Sequence, residues 1–84
     1  MERQIRIAVK LFSHARYHFG KGEIFLDLPP GSTVADVRNL LLSAGGDNFQ
    51  NIPFRLARNH KFVAEDEMIQ KGDELACIPP VQGG

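Results

Sequence analysis

Leu75-Ala76-Cys77-Ile78-Pro79-Pro80-Val81-Gln82-Gly83-Gly84 closes the sequence: four apolar residues in a row, two prolines, then a short tail ending in two glycines. An apolar run without alternation suits a strand covered on both faces, so it is expected in the middle of a sheet. Pro79 and Pro80 lack the N–H that ladder pairing requires, and the strand must stop at them. Val81, Gln82, Gly83 and Gly84 are then expected to form a flexible tail, 81–84, behind a domain spanning 1–80. Lys71-Gly72-Asp73-Glu74 is the turn that delivers the chain into this strand.

Upstream, residues 5–12 alternate: Ile5, Ile7, Val9 and Leu11 share one face, and Arg6, Ala8, Lys10 and Phe12 share the other. That is the period-two signature of a half-buried strand. A polar stretch with Gly20 and Gly22 follows. Ile24, Leu26 and Leu28 then alternate with Glu23, Phe25 and Asp27 until Pro29-Pro30-Gly31, which reads as the second arm of a β-hairpin. Ser32 or Thr33 is placed to cap a helix, with Asp36 completing a capping box from Thr33. Val34, Val37, Leu40 and Leu41 are expected to form its apolar stripe, and Gly45-Gly46 to stop it after about three turns.

Asp47 to Pro53 reads as a polar connection. Phe54-Arg55-Leu56-Ala57 is expected to be a short strand, Asn59-His60 a turn, and Lys61-Phe62-Val63 another strand. The order strand, strand, helix, strand, strand gives an α+β chain with one main helix across one face of a mixed sheet, first and last strands adjacent in its middle. This is the β-grasp, or ubiquitin-like, arrangement.

At 84 residues the chain has room for one modest core and no deep substrate pocket. A hydrophobic share of 43% and a charged share of 24% argue for a folded soluble domain rather than a disordered one. Ten basic and ten acidic residues cancel, so no net field draws the protein to nucleic acid or to an anionic membrane. Partners must be chosen by local patches. The single cysteine, Cys77, excludes an internal disulfide and a multi-thiolate metal site. With a polar start, Met1-Glu2-Arg3-Gln4, and no long apolar run, the expected location is the cytoplasm.

The run Gly72-Asp73-Glu74-Leu75-Ala76-Cys77-Ile78-Pro79-Pro80-Val81-Gln82-Gly83-Gly84 strongly resembles the ending of the MoaD/ThiS sulfur-carrier family, and within it the MoaD branch. Val9-Lys10-Leu11-Phe12-Ser13 with Arg16 and Gly20 resembles the family's first strand and the short helix after it. Leu28-Pro29-Pro30-Gly31-Ser32-Thr33-Val34-Ala35-Asp36-Val37 resembles its helix entry. The likeness is loose between Asp47 and Phe62.

The resemblance implies that the Gly84 carboxyl is adenylated by an E1-like, MoeB-like adenylyltransferase and converted to a thiocarboxylate. It implies that the sulfur then passes to cyclic pyranopterin monophosphate in molybdenum cofactor biosynthesis. The tail would act inside a large molybdopterin synthase subunit, MoaE-like, with two large subunits and a carrier at each end of a heterotetramer. On this reading the chain binds no cofactor or metal and supplies no catalytic side chain. Its terminus is a consumed and regenerated group carrier. Gly83 and Gly84 suit a narrow channel because they present no side chain and accept unusual backbone angles. Pro79 and Pro80 stiffen the stem.

Strand parity places Ala76 and Ile78 opposite Leu75 and Cys77, on the face that carries Phe12 and Phe25. Ile78, Pro79, Pro80, Val81 and Gln82, with Phe12 and Phe25, are therefore the candidate partner-binding residues. The plainer reading of the two phenylalanines is cross-strand packing. His14 and His18 stand four apart but have no third ligand at a recognisable spacing. Cys77 fits a buried packing role better than that of a nucleophile. Arg16 is a minor candidate for a partner's carboxylate. Three other functions share the pattern: a ThiS-like carrier for thiazole synthesis, a ubiquitin-like protein modifier, and a β-grasp interaction module with an inert terminus.

Overall fold

A computed structural model describes residues 3–80 of the chain. Along it run β1 (Ile5–Leu11), α1 (Ser13–Phe19), β2 (Glu23–Leu28), α2 (Val34–Gln50), β3 (Arg55–Arg58), β4 (Lys61–Phe62) and β5 (Glu74–Ile78). The five strands form one sheet in the order β2-β1-β5-β3-β4. β5 pairs parallel with β1 and antiparallel with β3, so the apolar run at its centre is hydrogen-bonded on both sides, as its composition predicts. With α2 laid across one face, this is the expected β-grasp. No helix among the described residues is long and apolar enough to cross a membrane.

One sheet face is the core. Ile7, Val9, Leu11, Leu56, Leu75 and Cys77 are buried there against Val34, Val37 and Leu41 of α2. Each such aliphatic side chain contributes about 1.5–3 kcal/mol by leaving water, so tertiary packing rather than helix propensity holds α2 in place. Its start is fixed locally: the Thr33 N–H donates to Asp36 Oδ2 at 2.9 Å, the return half of the expected capping box.

β1 and β2 pair antiparallel as the expected hairpin arms, Ile5 opposite Leu28 through Lys10 opposite Glu23, and α1 joins them where the resemblance implies a short helix. Elsewhere the structure departs from the sequence reading. Leu40 is 38% exposed. At about 100° per residue it sits roughly 120° away from Val34 around the helix, whereas Leu41 returns to within about 20°. The helix does break at Gly46, where φ is 75° and ψ −171°, yet the segment after it is not a polar connection. A second helical turn carries Phe49 back into the core, where it stacks on Phe54 with ring centroids 5.4 Å apart. Finally, β3 begins at Arg55, and Phe54 is a buried core residue ahead of it.

Candidate functional site

The site is built on the other sheet face. Cross-strand register fixes which side chains share it: Phe25 opposite Ala8, Lys10 opposite Glu23 and Ala76, Ala57 opposite both Ala76 and Phe62, and Arg55 opposite Ile78. Phe12 continues the parity of Lys10 just beyond β1. Two alanines in adjacent strands leave the middle of the face shallow, while Phe12 (48% exposed) and Phe62 (52% exposed) stand up on either side. The resulting groove encloses about 330 Å³. Ile78 closes it near the end of β5, and Lys10, His60 and Glu74 lend it a polar end.

Lys10 bonds Glu23 at 3.0 Å, and that hydrogen bond, with the charge behind it, holds the ammonium pKa above its ordinary value. Arg55 lies over the Phe62 ring, its guanidinium carbon 3.7 Å from the centroid. Beyond this pair a second, more apolar groove of about 400 Å³ runs between Pro53, Phe54, Pro79 and Pro80. The two grooves meet at Phe62 and Ile78, where β5 ends.

Of the candidate partner-binding residues, Phe12 and Ile78 come together here. Phe25 is 58% exposed on the same face but belongs to β2 at the sheet edge, outside the groove. Pro79 is buried and Pro80 exposed, and both line the second groove. Val81, Gln82, Gly83 and Gly84 lie outside the described residues. The sequence reading missed Phe62 and Arg55. Their signal was the parity that links Arg55 to Ala57 and, across the Asn59-His60 turn, to Phe62.

A sequence model of the ThiS family matches residues 9–84. The chain belongs to the ThiS family. This ThiS-family protein is 33% identical over 81 residues to a molybdopterin synthase sulfur carrier subunit of Arabidopsis thaliana, covering 95% of this chain and 84% of the relative. Among solved structures it resembles a putative molybdopterin converting factor, subunit 1, of Pyrococcus furiosus, with a TM-score of 0.81 and 25% identity over 92% of this chain and 99% of that one. It also resembles the small archaeal modifier protein 1 of Haloferax volcanii, with a TM-score of 0.76 and 28% identity over 92% of this chain and 99% of that one.

The remaining candidates sort by burial and partners. Burial pushes the Cys77 thiol of this ThiS-family protein up to about 12 against a weaker opposing pull from Arg38, leaving no thiolate for nucleophilic work near neutral pH. His18 places Nε2 2.7 Å from the Gly45 carbonyl oxygen and packs its ring against Phe19 and Phe49. It is thereby a tie between α1 and α2, while His14 is exposed. Among the described residues no three His, Cys, Asp or Glu side chains converge as metal ligands would. Arg16 is exposed on α1 and lies beside Gly22.

Proposed function

We propose that this chain is the sulfur-carrier subunit of a molybdopterin synthase, with the Gly84 carboxyl as the group that carries sulfur. The observation that carries this reading is the family match reaching residue 84, which places Gly83-Gly84 inside the matched segment. In the sequence Gly84 comes six residues after Ile78, the end of β5, a strand paired on both sides. The name borne by the Arabidopsis thaliana relative supports the molybdopterin branch.

The chemistry explains the division of labour. A carboxylate is a poor electrophile, so the Gly84 oxygen must first attack the α-phosphate of ATP on a MoeB-like, E1-like adenylyltransferase, releasing pyrophosphate. A sulfur nucleophile then displaces AMP and leaves a C-terminal thiocarboxylate. That sulfur passes to cyclic pyranopterin monophosphate within the large, MoaE-like subunit, and hydrolysis restores the carboxylate. Adenylation and transfer chemistry belong to the partners; this chain supplies the group and a handle that docks it. The outer face with Phe12 and Ile78 is the docking surface in a cytoplasmic heterotetramer.

Intact mass spectrometry after incubation with ATP, the adenylyltransferase and a sulfur source tests this. A mass gain equal to sulfur minus oxygen, absent after deletion of Gly84, is the expected outcome. No gain with an adenylyltransferase competent on another carrier overturns the reading. The likeness to the Haloferax volcanii modifier favours a second reading, attachment of Gly84 to lysines, which would appear instead as higher-mass conjugates.

A further inference from the structure

Among the described residues, Arg55 is the one charged residue in the second groove, whose other walls are Pro53, Phe54, Phe62, Ile78, Pro79 and Pro80. Its register opposite Ile78 sends the side chain out on the docking face, in the row that begins with Phe12. The guanidinium is not left to wander: it lies 3.7 Å from the centroid of the Phe62 ring, where cation and π-face attract and a long side chain is held in few rotamers. Stacking occupies the face of the guanidinium and leaves its in-plane N–H donors available.

Three other arginines end on carboxylates, Arg6 on Asp27, Arg38 on Glu65, and Arg58 on Glu67 and Asp73, whereas Arg3 and Arg16 have no such partner among the described residues and, unlike Arg55, no aromatic ring beneath them. Among the described residues none offers Arg55 a carboxylate within ion-pair distance. It also walls the apolar groove with Pro53, Phe54, Pro79 and Pro80, where the chain leaves the sheet toward its glycine end. A preset cation ringed by apolar surface is costly to cover with more apolar surface, because its charge would lose water and gain nothing. Covered by an acceptor, it becomes an oriented and discriminating contact.

We infer that Arg55 is a specificity-determining residue of the docking face, selecting a partner that brings an Asp or Glu carboxylate to the root of the tail. The inference rests on the docking reading above and adds the chemistry of the surface that docks. The planar fork of the guanidinium donates to two carboxylate oxygens side by side while its face stays on Phe62, a geometry that lysine does not reproduce. Partners with an apolar or basic residue at that position are rejected.

The test is calorimetric titration of the full chain with the large synthase subunit of the same organism, across a salt series, for wild type and for Arg55→Leu, Arg55→Lys and Arg55→Glu. Arg55→Leu is expected to weaken binding roughly ten-fold or more and to flatten its salt dependence. Arg55→Lys should fall between, and Arg55→Glu should be weakest of all. Reversing one acidic residue of the large subunit to lysine should restore binding to Arg55→Glu. A merely structural role for the stack on Phe62 would lower affinity without changing the salt slope, and that result overturns the inference. So does equal binding by wild type and Arg55→Leu, which leaves the sulfur-carrier reading standing. A large subunit that does not bind wild type overturns both.

Discussion

The Cys77 thiol ionises near 9.0 in an unfolded chain, but the folded protein keeps it protonated up to about 12 because burial disfavours the thiolate. Between those values the unfolded state binds fewer protons than the native one. The stability tied to Cys77 is therefore whole below pH 9.0 and drains away as pH climbs toward 12. Lys10, whose pKa is also raised, loses its pairing with Glu23 in the same direction, so the two effects must be separated. Urea unfolding of wild type and Cys77→Ala at pH values on either side of 9.0 does so: the variant should show the shallower alkaline decline. Parallel curves would mean that the thiol is not the group responsible. A different residue-scale strain sits in the turn between β3 and β4, where Asn59 and His60 both take positive φ, 54° and 68°. Asn tolerates that region, but a side chain like that of His pays roughly 1–2 kcal/mol for it. His60→Gly should raise the unfolding free energy by about 1 kcal/mol, read from the urea midpoint, and an unchanged or lower midpoint would show that the ring contributes packing worth more than the strain.

At the scale of elements, α2 shows what a sequence pattern conveys and what it leaves out. Gly45-Gly46 was legible as the end of a helix. That the chain re-enters a helical turn and returns Phe49 to the core was not, because periodicity in Asp47 to Pro53 is too short to read and the burial of Phe49 depends on Phe19, distant in sequence, and on Phe54 beyond the next bend. The break at Gly46 is not the ordinary left-handed cap. With φ 75° and ψ −171° it lies in a region open essentially to glycine alone, whereas Gly20, at φ 75° and ψ 14°, ends α1 in the common left-handed form. A Cβ at Gly46 would meet nothing within 4 Å, so any cost of substitution there is conformational. Gly46→Ala and Gly46→Asn should therefore both lose about 1–3 kcal/mol in urea unfolding. Gly20→Asn should lose only a few tenths. If Gly46→Asn were as mild as Gly20→Asn, the break would have relaxed to a left-handed cap and Phe49 would be seated by packing alone. At Gly45 the reason is different: a Cβ there would lie 2.5 Å from that of Phe49, so the residue is kept small by the ring beneath it.

For the molecule as a whole, the proposed function assigns docking to the outer sheet face and sulfur carriage to the Gly84 carboxyl, two separable parts of one chain. The central place of β5 and the outward parity of Phe12 and Ile78 were readable, the one from an unbroken apolar run and the other from alternation. Phe62 and Arg55 went unread although Arg55 shares the parity of Ala57, because seating Phe62 beside them needs the register of a two-residue strand across the Asn59-His60 turn. That separation can be tested with two variants that should fail in opposite ways. Phe12 is 48% exposed on the outer face, away from the α2 side of the sheet, while its backbone N–H donates to the Cys77 carbonyl oxygen at 3.3 Å. Phe12→Asp should therefore leave the unfolding transition nearly unchanged yet cost about 2 kcal/mol or more of affinity for the large subunit, as removal of an aromatic anchor does. Deletion of Gly84 leaves every described residue of the outer face in place. It should bind the large subunit about as well as wild type and accept no sulfur, because the group that carries it has lost its place in the activating enzyme. Should Phe12→Asp bind normally, the groove between Phe12 and Phe62 is not the docking surface, and the exposed β2 edge with Phe25 becomes the face to probe. Should deletion of Gly84 also abolish binding, the tail is itself part of the grip, and handle and cargo are one device.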